Sequence, residues 1–172
     1  MRVLRWMMPV AALGIVVALA DVRADEVDIP IEKVPKAVMD TVKARFPGAE
    51  MKAAAKEEAE GKTSYEVSLV HKGKKIDVVA QPDGTIVAVE TVIKASDLPA
   101  AVKKTLEAKY PKAEYKTIET LEEGGKLSYE ILLETANDDD IEVILDRDGK
   151  ILKTEEKKES EKDEKKDEKK KD

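Results

Sequence analysis

One pattern is written twice in this chain, and that duplication limits its fold more than any other feature. Val34-Pro35, Phe46-Pro47, Ala49-Glu50 and Tyr65-Glu66-Val67 return 64 residues later as Leu98-Pro99, Tyr110-Pro111, Ala113-Glu114 and Tyr129-Glu130-Ile131. Ile76-Asp77-Val78, Asp83-Gly84 and Ile86 match Ile141-Glu142-Val143, Asp148-Gly149 and Ile151 at a spacing of 65, so the second copy carries one extra residue between Tyr129 and Ile141. A fixed period of this length marks a duplicated supersecondary unit, and the single slip marks a loop insertion.

Each copy opens with a helical period and changes to a strand period. Val34, Val38, Val42 and Phe46 recur every four residues between Pro35 and Pro47, and Leu98, Val102, Leu106 and Tyr110 do so between Pro99 and Pro111. Proline suits a first helical turn and forbids continuation at the far end, so each stripe predicts a helix with one buried face. Ser96 or Asp97 is available to cap the second. After Tyr65 and Tyr129 the period becomes two: Tyr65, Val67 and Leu69 alternate with Glu66 and Ser68, as Tyr129, Ile131 and Leu133 do with Glu130 and Glu134. Lys72-Gly73-Lys74, Pro82-Asp83-Gly84 and Arg147-Asp148-Gly149 supply turns. Ala53 to Ala59 has helical propensity, but the matching stretch of the second copy contains Thr117, Ile118 and Thr120. Both stretches are therefore predicted as first strands. The resulting fold is α+β, with two tandem repeats, each one helix packed on a four-stranded antiparallel meander sheet. The matched aromatics Phe46 with Tyr110 and Tyr65 with Tyr129 fall on the predicted apolar faces and read as core, and Tyr115 pairs with Met51 as filler. A unit of about 60 residues has a marginal core alone, so the copies are expected to form one cooperative body.

The expected divisions are a signal peptide over 1–24, repeats over 25–93 and 94–153, and a charged disordered tail over 154–172. Arg2 and Arg5 precede an uncharged run from Trp6 to Ala20, followed by small residues at Ala18, Ala20 and Ala24. That is the layout of a cleaved secretory leader, with the mature chain starting at Asp21 or Asp25 and the product periplasmic or secreted, with no stable membrane span. Without cysteine the chain folds without disulfides. Loss of 1–24 leaves 28 basic and 36 acidic residues. A mildly acidic protein lacks the basic field that draws nucleic acid or anionic membrane. After Thr154 the chain is Lys, Glu and Asp except for Ser160, which predicts solvated disorder.

No catalytic constellation emerges. His71 is the sole histidine and reads as an exposed strand-end residue, the serines show no nucleophile elbow, and the glycines lie in turns. No enzyme activity and no cofactor are therefore expected. Asp138-Asp139-Asp140 could attract calcium, but Ile144 stands where a calcium loop ahead of Asp146-Arg147-Asp148-Gly149 needs an oxygen ligand, so no metal site is assigned. The candidate partner-binding residues are Lys72 and Lys74 in the first copy and Asp138 and Asp139 in the second, because hairpin tips carry recognition more often than fold.

Apolar-Pro, helix, aromatic-Pro-x-Ala-Glu, strand, Tyr-Glu-Val/Ile, strand and Asp-Gly-x-Ile together resemble the PepSY-like, β-lactamase-inhibitor-like family over Val27 to Lys153. Phe46-Pro47-Gly48-Ala49, Tyr110-Pro111-Lys112-Ala113, Gln81-Pro82-Asp83-Gly84 and Asp146-Arg147-Asp148-Gly149 carry the resemblance. It implies an exported, tandem helix-plus-sheet protein that binds or restrains an extracytoplasmic protein such as a peptidase or cell-wall enzyme. The alternative reading is an acidic cation-binding or envelope stress protein.

Overall fold

The computed structural model describes residues 25–59 and 61–157. The expected leader, its expected cleavage positions and the chain beyond Lys157 lie outside the described residues. Nine strands, each antiparallel to its neighbours, follow in chain order: β1 (Asp25–Ile29), β2 (Glu50–Ala59), β3 (Lys62–His71), β4 (Lys74–Ala80), β5 (Ile86–Val92), β6 (Glu114–Glu123), β7 (Lys126–Glu134), β8 (Asp140–Leu145) and β9 (Ile151–Lys157). Helix α1 (Lys36–Arg45) precedes β2, and α2 (Ala100–Lys109) precedes β6. Two compact units result. One takes the chain up to Asp97 together with Glu119–Ser128; the other takes Leu98–Ile118 and the chain from Tyr129.

In the first unit Val34, Val38, Met39 and Val42 bury their side chains against Ala54, Val67, Leu69, Ile76, Val78, Ala80 and Val89. Val38, Val42, Val67 and Val78 are wholly excluded from solvent, and each contributes about 1.5–3 kcal/mol through burial. This packing explains why the alanine-rich stretch 53–59 is a strand despite its propensity: it is paired by β1 on one side and β3 on the other, and Ala54 sits in the core under α1. In the second unit Leu98, Val102 and Leu106 are buried on the helix side, and Tyr129↔Leu145 and Ile131↔Val143 are buried cross-strand pairs.

Each helix begins one residue after its proline. Pro35 and Pro99 stand at the N-cap, where their carbonyls accept from Met39 N–H at 3.1 Å and Lys103 N–H at 3.0 Å. Proline sacrifices nothing there, since an N–H at that position would have no helical acceptor. The expected cap at Ser96 or Asp97 is not made, because both lie in a separate helical turn, Ala95–Asp97, where Asp97 Oδ2 accepts from Lys94 N–H at 3.4 Å. Phe46 and Tyr110 close the helices, with N–H groups bonded to Val42 and Leu106. Both rings are half-buried, and Arg45 and Lys109 lie over them at 5.7 and 5.4 Å.

The turns after β4 and β8 touch the helices through glycine. Gly84 has φ +90°, and a Cβ there would lie 2.7 Å from Ala37 O and 2.9 Å from Thr41 Oγ1. Gly149 has φ +80°, and its Cβ would lie 2.5 Å from Ala101 O and 2.9 Å from Thr105 Oγ1. Thr105 Oγ1 also donates to Gly149 O at 2.8 Å. The repeated Asp-Gly therefore supplies two things at once, a left-handed turn and direct contact between turn and helix backbone.

Two further elements differ from the expected plan. β1 pairs along β2 from Asp25↔Glu58 to Ile29↔Ala54, although its sequence was assigned no element. β9 continues through Thr154 to Lys157, residues placed in the disordered tail, because β8 offers a ladder as far as Asp140↔Lys157. A strand edge can order a polar segment that has no apolar face of its own.

Candidate functional site

Lys72 and Lys74 lie in the β3–β4 hairpin of the first unit. His71 pairs with Lys74, and the two residues between them, Lys72 (φ 51°) and Gly73 (φ 76°), both have positive φ. That is the tight hairpin geometry whose twist matches the flanking strands. Lys72 and Lys74 are exposed. His71 is half-buried rather than exposed, because its ring meets Phe46 edge to face at 5.8 Å.

Asp138 and Asp139 lie in the longer β7–β8 hairpin of the second unit and are also exposed. The extra residue in this copy is accommodated by a turn organised around Thr135. Thr135 N–H donates to Asp139 O at 2.9 Å, and Thr135 Oγ1 accepts from Asn137 N–H at 3.3 Å and Asp139 N–H at 3.2 Å. Asp138 takes φ 64°, a region that aspartate tolerates well. Lys116 on β6 bridges the base of the hairpin, with Nζ 2.5 Å from Glu134 and 2.8 Å from Asp140. Those hydrogen bonds, to Asp140 first and then Glu134, hold the Lys116 ammonium well above its ordinary pKa. Sequence reasoning missed this clamp, since Lys116 and Asp140 belong to non-adjacent strands and nothing in their spacing connects them.

The acidic triplet thus divides its work. Asp140 serves Lys116, Asp139 lies toward the Thr135 hydroxyl at 3.4 Å while remaining exposed, and Asp138 is exposed at the tip. Asp146 is consumed similarly, because its Oδ1 accepts from Asp148 N–H at 3.0 Å and Lys150 N–H at 2.9 Å. Among the described residues no group of three His, Cys, Asp or Glu side chains is placed to hold a metal ion. Lys72 and Lys74 share one tip and Asp138 and Asp139 another, each within its own unit. The two tips therefore present opposite charge at equivalent positions of the repeat.

The sheet faces opposite the helices carry buried acids. Glu66, Ser68 and Glu90 are buried in the first unit, and Glu130 and Glu142 in the second. Cross-strand pairs Ser68↔Asp77 and Asp77↔Glu90 align a polar row, in which Ser68 Oγ donates to Asp77 Oδ1. At the end of β2 Glu57 is 8% exposed; its Oε2 accepts from Ser64 Oγ at 3.2 Å, whereas Oε1 has no hydrogen-bond partner among the described residues.

Burial pushes the Glu57 carboxyl above its ordinary pKa of 4.5, and the Ser64 hydroxyl offsets part of the rise. A raised folded pKa means that the folded chain binds the proton more tightly than the unfolded chain. Stability contributed here is present at low pH and falls as pH rises through the window above 4.5. Glu57→Gln should therefore be as stable as the parent near about pH 4 and more stable by about 1 kcal/mol or less near about pH 7.5. Urea unfolding at both pH values checks this. A parent that gains on the variant as pH rises would contradict it.

The architecture defines a class: helix-on-sheet repeats in tandem, presenting charged hairpin tips. A family described as "Putative beta-lactamase-inhibitor-like, PepSY-like" matches residues 20–88 and again 81–153, and the chain belongs to that family. Its fold is shared with solved Bacteroides structures. A DUF2874 family protein of Bacteroides uniformis is 17% identical, with 71% of this chain and 88% of that one covered at a TM-score of 0.61. A Bacteroides eggerthii structure described as "putative periplasmic proteins" is 17% identical, with 72% and 88% covered at 0.63. A BLIP-like protein of Bacteroides fragilis is 19% identical, with 71% and 86% covered at 0.58. A comparison with curated proteins gives no match. Among the described residues no helix is long and apolar enough to cross a membrane.

Proposed function

We propose that this protein is an exported, non-enzymatic binding module of the bacterial periplasm or exterior, which engages an extracytoplasmic protein through its hairpin tips. The observation that carries the reading is the pair of exposed tips, Lys72-Gly73-Lys74 and Asp138-Asp139, mounted at equivalent positions on cores that leave their charges outside. The family's inhibitor-like description and the periplasmic description of the Bacteroides eggerthii neighbour support it. Each repeat, one helix with the four strands that follow it, acts as a scaffold that holds a tip in place. A peptidase or cell-wall enzyme is the proposed class of partner, restrained by occupation of its surface. The basic leader ahead of residue 25 supports export by cleavage.

The test combines binding with stability. Lys72→Glu with Lys74→Glu, or Asp138→Lys with Asp139→Lys, should change stability by no more than about 0.5 kcal/mol, since all four side chains are exposed. The same pairs should lower capture of the envelope partner by about tenfold or more if the tips make charged contacts. Denaturant unfolding and quantitative affinity capture from an envelope extract read the two effects. Capture unchanged by both double variants would remove the tips from the interface.

A further inference from the structure

β5 and β9 close their respective repeats at matching positions, each beginning at the Ile of Asp-Gly-x-Ile. β5 has a neighbour on its outer side: the Glu119–Glu123 part of β6, in register from Ala88↔Glu123 to Val92↔Glu119. Among the described residues no strand stands on the outer side of β9. One side chain registers the difference. Val87 and Leu152 are the residues skipped by the bulge near the start of each strand. Val87 is half-buried and lines a depression with Leu127, whereas Leu152 is 54% exposed.

We propose that the outer edge of β9 pairs antiparallel with β9 of a second copy of this chain, about a two-fold axis at Thr154. The charge pattern selects that occupant and that register. Side chains alternate along a strand, so a two-fold axis normal to the sheet must place one residue opposite its own copy. With Thr154 on the axis, Lys153 faces Glu155 of the second copy and Glu155 faces its Lys153. These two side chains already lie 2.8 Å apart within one chain and point to the same face, so the dimer gathers two of each sign alternately. Moving the axis to Lys153 sets lysine against lysine, and moving it to Glu155 sets glutamate against glutamate. β1, the other terminal strand, is Asp-Glu-Val-Asp-Ile and has no base to offer a second copy. Charge and a bulge ordinarily protect an edge from promiscuous pairing. Here, of the registers centred on a residue of β9, the one at Thr154 sets opposite charges face to face without opposing like charges, whereas an axis at Ile151 or Leu152 forms no ion pair within the strand.

A single strand pair buries little surface, so association is weak and is sought from about 10 µM to about 1 mM. Analytical ultracentrifugation of the full chain at low salt should show a reversible monomer–dimer equilibrium. Lys153→Glu alone and Glu155→Lys alone should each weaken it by about tenfold or more, because each brings like charges together twice. An equimolar mixture of the two variants should regain wild-type association, since every 153–155 contact in the mixed dimer is then opposite in sign. A wild-type chain that stays monomeric, assemblies larger than a dimer, or a single variant that dimerises like wild type would overturn the proposal. Should a single variant lose its fold, the double variant Lys153→Glu/Glu155→Lys decides alone: dimerisation like wild type supports the proposal and a monomer overturns it.

Discussion

Gly84→Ala and Gly149→Ala should each destabilise the protein by about 3 kcal/mol, although each adds a single methyl group at a turn. Two costs combine. Alanine at φ +90° or +80° is strained by about 1–2 kcal/mol. Its Cβ would also stand 2.7 Å or 2.5 Å from a helix carbonyl oxygen, with Thr41 or Thr105 Oγ1 at 2.9 Å on the same side. The atoms in the way are backbone, so relief requires α1 or α2 to move off its core. Gly48 and Gly73 also have positive φ but would meet nothing within 4 Å, so alanine there should cost only the conformational part, about 1–2 kcal/mol. Denaturant unfolding of the four variants checks the difference. Equal losses at Gly84 and Gly73 would show that the turn-to-helix contact contributes nothing.

Tyr129→Ala should cost about 3 kcal/mol or more, through loss of buried ring surface and the cavity that remains. The ring is 7% exposed and its cross-strand partner Leu145 is wholly buried. Its repeat equivalent Tyr65 is half-buried, and Tyr65→Ala should cost less, about 1–2 kcal/mol. Partner binding by Tyr129→Ala should fall only in proportion to the unfolded fraction. A Tyr129→Ala protein that keeps full stability yet loses capture would place this aromatic in a binding face and reverse the assignment of the two sides of the sheet.

The parts of the fold legible in the sequence are those the duplication wrote twice. The four-residue apolar stripes located both helices, and comparison with Thr117, Ile118 and Thr120 identified the alanine-rich β2 as a strand where propensity alone pointed to a helix. The remainder depends on partners far away in the chain. β1 has acids at three of five positions and exists as a strand through its pairing with β2, and β9 extends into charged sequence because β8 holds it. Ser96 and Asp97 had the chemistry of a helix cap but were taken by their own short turn. Of the candidate site, exposure of Lys72, Lys74, Asp138 and Asp139 followed from turn composition. The clamp by Lys116 and the burial of Glu57 did not, because a strand pattern marks which residues share a face and leaves open what covers them.

The most direct test of tip recognition is photo-crosslinking in the native envelope, with a photoreactive residue placed singly at Lys72, Asp138 and, as a control, the exposed helix position Lys104. Recognition through the tips predicts a specific adduct of this chain with one envelope protein from Lys72 and from Asp138, and none from Lys104. Adducts from Lys104 with both tips silent would contradict it.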